Sequence, residues 1–127
     1  MSSDEWKEKL SSDVYHVTRE KGTEAPFSGK LLKNNKTGLY TCSNCGSVLF
    51  DSSAKFDSGT GWPSFDRPAA EWYVKLEEDI SGGTRRTEVT CAKCGAHLGH
   101  VFSDGPTKTG ARFCINSLSL GFEEKTL

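Results

Sequence analysis

The sequence predicts a mainly β protein, built of antiparallel sheets behind one or two short N-terminal helices. Three observations predict it. From Gly38 onward, short runs alternating apolar and polar residues recur, separated by Gly, Asn, Asp and Ser. No strand–helix–strand alternation appears, which argues against a parallel doubly wound sheet. Thirteen glycines in 127 residues supply the many turns that such a fold needs. A chain of this length fits one domain, and residues 1–127 are read as one.

The elements follow in order. Residues 1–20 read as a helical segment. Ser2 or Ser3 can cap it, Asp4 and Glu5 suit the positive end of a helix dipole, and Trp6, Lys9 and Leu10 follow at helical spacing. "SSDVYHVTRE" supports a second helical turn, with Asp13 near its start. "KGTEAPFSGKLL" reads as an extended connection punctuated by Pro and Gly. Strand candidates are "GLYTC", "SVLF", "EWYVKL", "RRTEVTC", "HVFSD" and "ARFCINSLSLGF". Gly82-Gly83 gives a hairpin turn between the third and fourth of these.

Charge excludes some functions. Sixteen basic residues nearly balance 17 acidic ones, with no long run of one sign. That leaves no electrostatic footprint for nucleic acid or an anionic membrane. No stretch approaches a membrane span, and the polar N-terminus lacks an apolar run of signal-peptide length. The expectation is a cytoplasmic protein, with nothing demanding more than a monomer.

Five cysteines, an odd count, fit a secreted disulfide framework poorly. Four of them form two C-x-x-C-G turns inside an internal echo, "TCSNCGSVLF" and "TCAKCGAHLGHVF". Each turn sets two sulfurs on one side of a tight loop, and the following glycine can take positive φ. Together Cys42, Cys45, Cys91 and Cys94 offer the four thiolates of a structural Zn2+ site. The long separation of the pairs means that such a metal would tie two distant hairpins together. A redox C-x-x-C is the competing reading, but it usually opens a helix in a βαβ context. Two disulfides are the third.

Cys114 stands alone in an alternating run. Alternation puts Arg112, Cys114 and Asn116 on one strand face, with Phe113 and Ile115 on the other, core-like face. A lone cysteine is commonly a small buried hydrophobe. Here the apolar face is already taken, and a neighbouring guanidinium favours thiolate. His97 and His100 would point to opposite faces of a straight strand. They read either as partly exposed surface residues or as a pair brought together by a bulge at Gly99. Trp62, in a Gly-rich loop, reads as a core plug or as an exposed apolar wall.

Taken together, "SGTGWPSF", "HLGHVFSDGP", "RFCINSLSL" and the two C-x-x-C-G turns resemble the B-type methionine sulfoxide reductases over roughly residues 10–124. The resemblance implies two antiparallel β-sheets with short N-terminal helices, stapled by one Zn2+ on Cys42, Cys45, Cys91 and Cys94. It implies reduction of the R epimer of methionine sulfoxide, free or in proteins, as repair of oxidative damage. Cys114 would attack the sulfoxide sulfur and become a sulfenic acid. His97 and His100 would protonate the sulfoxide oxygen, and Asn116 and Arg112 would position and activate the cysteine. Trp62 would seat the substrate methyl, with Phe102 and Asp104 in the same pocket region.

One departure stands out. Many family members carry a resolving cysteine just before "GWPSF"; here that residue is Thr60, and residues 1–41 contain no cysteine. The expected cycle therefore uses one cysteine. It would be regenerated by an outside thiol such as thioredoxin, glutaredoxin with glutathione, or a small thiol. Two rival readings are a zinc-ribbon binding module, which has no use for Cys114, and a general thiol peroxide sensor.

Overall fold

Two antiparallel sheets face each other across an aromatic core. The computed structural model describes residues 3–80 and 85–124. The smaller sheet has strand order β2-β1-β9, formed by Val48–Asp51, Gly38–Cys42 and Leu120–Glu124. The larger has order β3-β4-β8-β7-β6-β5, from Lys55–Phe56, Ser64–Phe65, Arg112–Ile115, His97–Phe102, Arg86–Cys91 and Val74–Asp79. The mainly β, two-sheet expectation is borne out.

Alternation decides which side chains meet between the sheets. Tyr40 and Phe50 of the smaller sheet and Phe65 of the larger are fully buried. Phe50 stacks on Phe65 with centroids 4.3 Å apart, and Tyr40 meets Phe65 edge-on at 5.0 Å. Phe113 joins them at 5.8 Å from Phe50. Such pairs add specific geometry to the burial itself.

Helix α1 spans Ser3–Lys9 and α2 spans Ser12–Arg19. The cap expected of Ser2 or Ser3 lies outside the described side chains. Ser11 caps α2, its hydroxyl accepting from the Val14 N–H at 3.3 Å. Arg19 then ties α2 to both C-x-x-C turns. Its Nε donates to Asn44 Oδ1 at 2.7 Å and its Nη1 to the Cys94 carbonyl at 3.0 Å. The same guanidinium lies 4.2 Å from the centroid of buried Trp6, a cation–π seat that anchors α1.

Three strand readings need correction. Glu71–Tyr73 is a 3-10 turn, so the third run starts at Val74. The strand placed at "HVFSD" begins earlier, at His97, and ends at Phe102. "ARFCINSLSLGF" is two strands, not one. A 3-10 turn at Ser117–Ser119 carries the chain from β8 in one sheet to β9 in the other. The serines look like strand positions by alternation, but Ser119 is fully buried, its hydroxyl donating to the His97 carbonyl at 2.8 Å. β5 and β6 pair as the hairpin reading requires, while Gly82-Gly83 lie outside the described residues. No helix among the described residues is long and apolar enough to cross a membrane.

Candidate active site

The four paired cysteines come together. Their sulfurs all lie within 4.8 Å of one another, with Cys42–Cys94 at 3.6 Å and Cys45–Cys91 at 3.7 Å. The two turns are built alike. Gly46 and Gly95 both take φ of 79°, and their N–H groups donate back to the Cys42 and Cys91 carbonyls at 2.9 and 2.8 Å. A tetrahedron of Zn–S bonds about 2.3 Å long has edges of about 3.8 Å, so these spacings fit one metal ion. The electrostatics also ask for a cation. Contacts with Cys91 and Cys94, together with burial, hold the Cys42 thiol far above its ordinary range. Cys91 is held far below it by hydrogen bonds from Cys42 and Cys94. Four bare sulfurs cannot all ionise at this spacing; a divalent cation lets them. The cluster could hold one metal ion, and it joins the end of β1 to the end of β6, one strand from each sheet.

Cys114 sits elsewhere, on β8 between β4 and β7, opposite Ser64 on one side and His100 on the other. Phe113 and Ile115 are buried in the core as alternation predicts. Cys114, Arg112 and Asn116 line the opposite face, in a cavity of about 280 Å³ shared with Trp62, His100 and Phe102. Thr23, Thr60, Arg86 and Gly99 complete its wall.

A bulge brings the two histidines together. Val89 pairs with Gly99, but Thr90 pairs with His97, so β7 carries one extra residue. The rings then lie 5.5 Å apart, edge to face. A side chain at position 99 would collide with the Cys114 carbonyl, so only glycine lets β7 approach β8 here. The bulged Leu98 carbonyl is recovered by Asn116, whose backbone N–H and side-chain amide both donate to it, at 2.9 and 3.1 Å.

His100 faces the cavity; His97 lies behind it, buried. Each has its own carboxylate. His97 Nδ1 bonds Glu88 Oε2 at 2.7 Å, and His100 Nε2 bonds Asp79 Oδ2 at 2.9 Å. Burial pulls the His97 imidazole below its ordinary pKa, against the opposing pull of Glu88.

Arg112 and Cys114 share the cavity, but the guanidinium is already engaged. It binds Asp104 with two hydrogen bonds, at 2.8 and 3.2 Å, and lies 4.5 Å from the Phe102 centroid. Asp104 therefore grips Arg112 from outside the cavity wall. Burial pushes the Cys114 thiol up, and a hydrogen bond from Thr60 and the charge of Arg112 only partly oppose it. The guanidinium alone does not make this cysteine a thiolate.

Glu24 was not legible as a site residue. Its N–H donates to Asn116 Oδ1 at 3.1 Å, and its carbonyl accepts from Trp62 Nε1 at 3.0 Å. Its carboxylate accepts from the Leu118 N–H at 2.9 Å. One buried residue thus holds the connection 20–30 against the cavity and fixes both Trp62 and Asn116. Glutamate is seldom buried, so composition gives no sign of this. Buried Glu88 escaped for the same reason, and half-buried Asp79 meets His100 only through the fold.

Known proteins resemble this chain along most of its length. A family model described as the SelR domain matches residues 10–124. The peptide methionine sulfoxide reductase MsrB of Bradyrhizobium diazoefficiens is 56% identical, over 98% of this chain and 89% of that protein. The protein of the same name from Methanosarcina mazei is 55% identical over the same shares. That from Leptospira interrogans is 51% identical, over 98% and 95%. A crystal structure of the Mis18 "Yippee-like" domain superposes with a TM-score of 0.58 at 17% identity, covering 72% of this chain and 100% of that one. At such identity it speaks for the fold alone. By the domain match and the identities along nearly its whole length, this chain belongs to the SelR-domain family of MsrB methionine sulfoxide reductases.

Proposed function

We propose that this protein is a peptide-methionine (R)-S-oxide reductase, a single domain over residues 1–127 whose nucleophile is Cys114. The observation that carries the reading is the company Cys114 keeps. A solitary thiol lies in a cavity with His100 directly across the strand pair, Arg112 beside it and the Trp62 indole on the wall. Sulfoxide reduction needs a thiolate, a proton source and an apolar seat for a methyl group, and these residues offer all three.

In the proposed cycle the Cys114 thiolate attacks the sulfoxide sulfur. Negative charge builds on the sulfoxide oxygen, and His100 supplies the proton it needs, with His97 backing the ring. The oxygen passes to Cys114, which becomes a sulfenic acid as methionine leaves as the thioether. An outside thiol then attacks the sulfenic sulfur, water leaves, and a second thiol equivalent restores Cys114 and carries away the disulfide. Thioredoxin, glutaredoxin with glutathione, or a small thiol can serve. Trp62 seats the methyl, Phe102 packs beside it, Asn116 holds β7 against β8, and Asp104 keeps Arg112 over Phe102.

We assign the four-cysteine cluster to one structural Zn2+. Four thiolates fill its tetrahedron, so it would hold the two sheets together and leave no position for substrate. Elemental analysis of protein purified without added metal should give one zinc per chain. The cytoplasm is the proposed location, consistent with five free thiols.

The deciding experiment offers separated R and S epimers of methionine sulfoxide with dithiothreitol as reductant. The R epimer should be consumed and the S epimer left. Equal rates, or consumption of the S epimer alone, would contradict the reading. Mass spectrometry after one equivalent of substrate without reductant should find one added oxygen on Cys114; a disulfide to a cluster cysteine would refute the one-cysteine cycle.

A further inference from the structure

We propose that Thr60 and Ser58 form a reversible hydroxyl relay that serves Cys114 as both thiol and thiolate. The proposal deepens the reading of Cys114 as nucleophile and rests on it. Thr60 Oγ1 lies 3.9 Å from Cys114 Sγ and 2.7 Å from Ser58 Oγ. Ser58 Oγ lies 2.7 Å from Ser64 Oγ, and the Ser64 hydroxyl donates to the Trp62 carbonyl at 3.1 Å.

The last contact sets the direction of the chain, because a carbonyl only accepts. With its proton on Trp62, Ser64 accepts from Ser58, Ser58 accepts from Thr60, and Thr60 accepts from the Cys114 S–H. Each hydroxyl then gives one hydrogen bond; Thr60 and Ser64 receive one, and Ser58 receives a second from the Thr60 N–H at 3.3 Å. When Cys114 ionises, its proton leaves through the cavity to solvent, and the sulfur becomes an acceptor only. The Thr60 hydroxyl turns to the thiolate, and the Ser58 hydroxyl turns to Thr60. Ser64 keeps its bond to Trp62. Two hydroxyls rotate and no proton travels along the chain.

The loop is built to hold this geometry. Asp57 Oδ1 accepts from the Gly59 N–H at 3.0 Å, and the Gly61 carbonyl accepts from the Phe27 N–H at 2.7 Å. Ser64, fully buried, stands opposite Cys114 in the β4–β8 pair, so the relay is anchored in the sheet as well as in the loop. The relay also answers a need. Burial and the Glu24 charge disfavour the thiolate, and Arg112, which favours it, is shared with Asp104 through two hydrogen bonds. A hydroxyl at position 60 stabilises the charged sulfur and, unlike a thiol, cannot form a disulfide with it.

The test is the pH dependence of Cys114 alkylation by iodoacetamide, followed by site-resolved mass spectrometry on the full chain. Thr60→Val removes the hydroxyl and keeps the shape. It should move the midpoint up by about one pH unit or more, the scale of a hydrogen bond to a charged group. Thr60→Ser should restore the wild-type midpoint. Ser58→Ala, which leaves Thr60 in place, should move it up by less, and it decides the matter alone if Thr60→Val does not fold. A wild-type midpoint in Thr60→Val or in Ser58→Ala overturns the relay, as does a Thr60→Ser midpoint as high as that of Thr60→Val. Alkylation needs no sulfoxide, so failure of the relay and failure of the reductase reading are separate results.

Discussion

Five cysteines divide between two environments that share nothing but the thiol. Cys42, Cys45, Cys91 and Cys94 neighbour one another, at the ends of β1 and β6, with sulfurs within 4.8 Å. Cys114 has a hydroxyl, a guanidinium and an imidazole for company, on the open face of a central strand. The first set can satisfy one another only around a cation, which suits holding a fold together. The second leaves one sulfur with groups that change its charge and accept or return a proton, which suits chemistry. Surroundings, more than burial, separate the roles: Cys94 and Cys114 are both half-buried.

Breaking the structural side should have the largest effect on stability. Cys91→Ser removes one of the four ligands of the zinc ion proposed to join the sheets. Structural zinc is worth on the order of 10 kcal/mol to small folds. The melting temperature should fall by 10 °C or more, on the order of a few kcal/mol, and zinc content should drop below one per chain. Calorimetry with elemental analysis checks both. An unchanged melting curve would mean that the cluster holds nothing together.

Trp62→Ala tests the reactive side without touching a thiol. Its indole face is the proposed methyl seat, and burying such a surface is worth roughly 1.5–3 kcal/mol. The ratio kcat/KM for methionine sulfoxide should fall by about tenfold or more, while Cys114 alkylation stays near the wild-type rate. Steady-state kinetics beside the alkylation assay separates loss of the seat from loss of the nucleophile.

The smallest effect is on pH. His97 is faced by Glu88, by His100 and, through Glu88, by Lys21, yet burial wins and its pKa is lowered. As pH falls below about 6.5, the unfolded chain takes up this proton before the folded one does. Stability should therefore decline between pH 7.5 and pH 6, and His97→Asn should flatten that decline. Urea midpoints at the two pH values measure it.

Much of this contrast was legible in residue spacing. The pairing of four cysteines follows from two matching C-x-x-C-G turns, and the exposure of Cys114 follows from period-two alternation beside Phe113 and Ile115. The bulge at Gly99 was one of two readings, and the shifted register at Thr90 settles it. What could not be read came from residues far apart in the chain. Glu24 reaches Trp62 and Asn116 only because the connection 20–30 folds back over the cavity. The two-residue strands β3 and β4 are too short to show alternation at all. The family resemblance put Asp104 in the pocket region, but its two-point grip on Arg112 from outside the cavity depends on a loop conformation.

The central claim is that one thiol carries the chemistry while four others carry the fold. Cys114→Ser measures it most directly, assayed for methionine sulfoxide reduction with dithiothreitol beside the wild type. Turnover should fall by a factor on the order of 10³ or more, as for other catalytic nucleophiles, with zinc content and melting temperature unchanged. Turnover within tenfold of wild type would contradict the account.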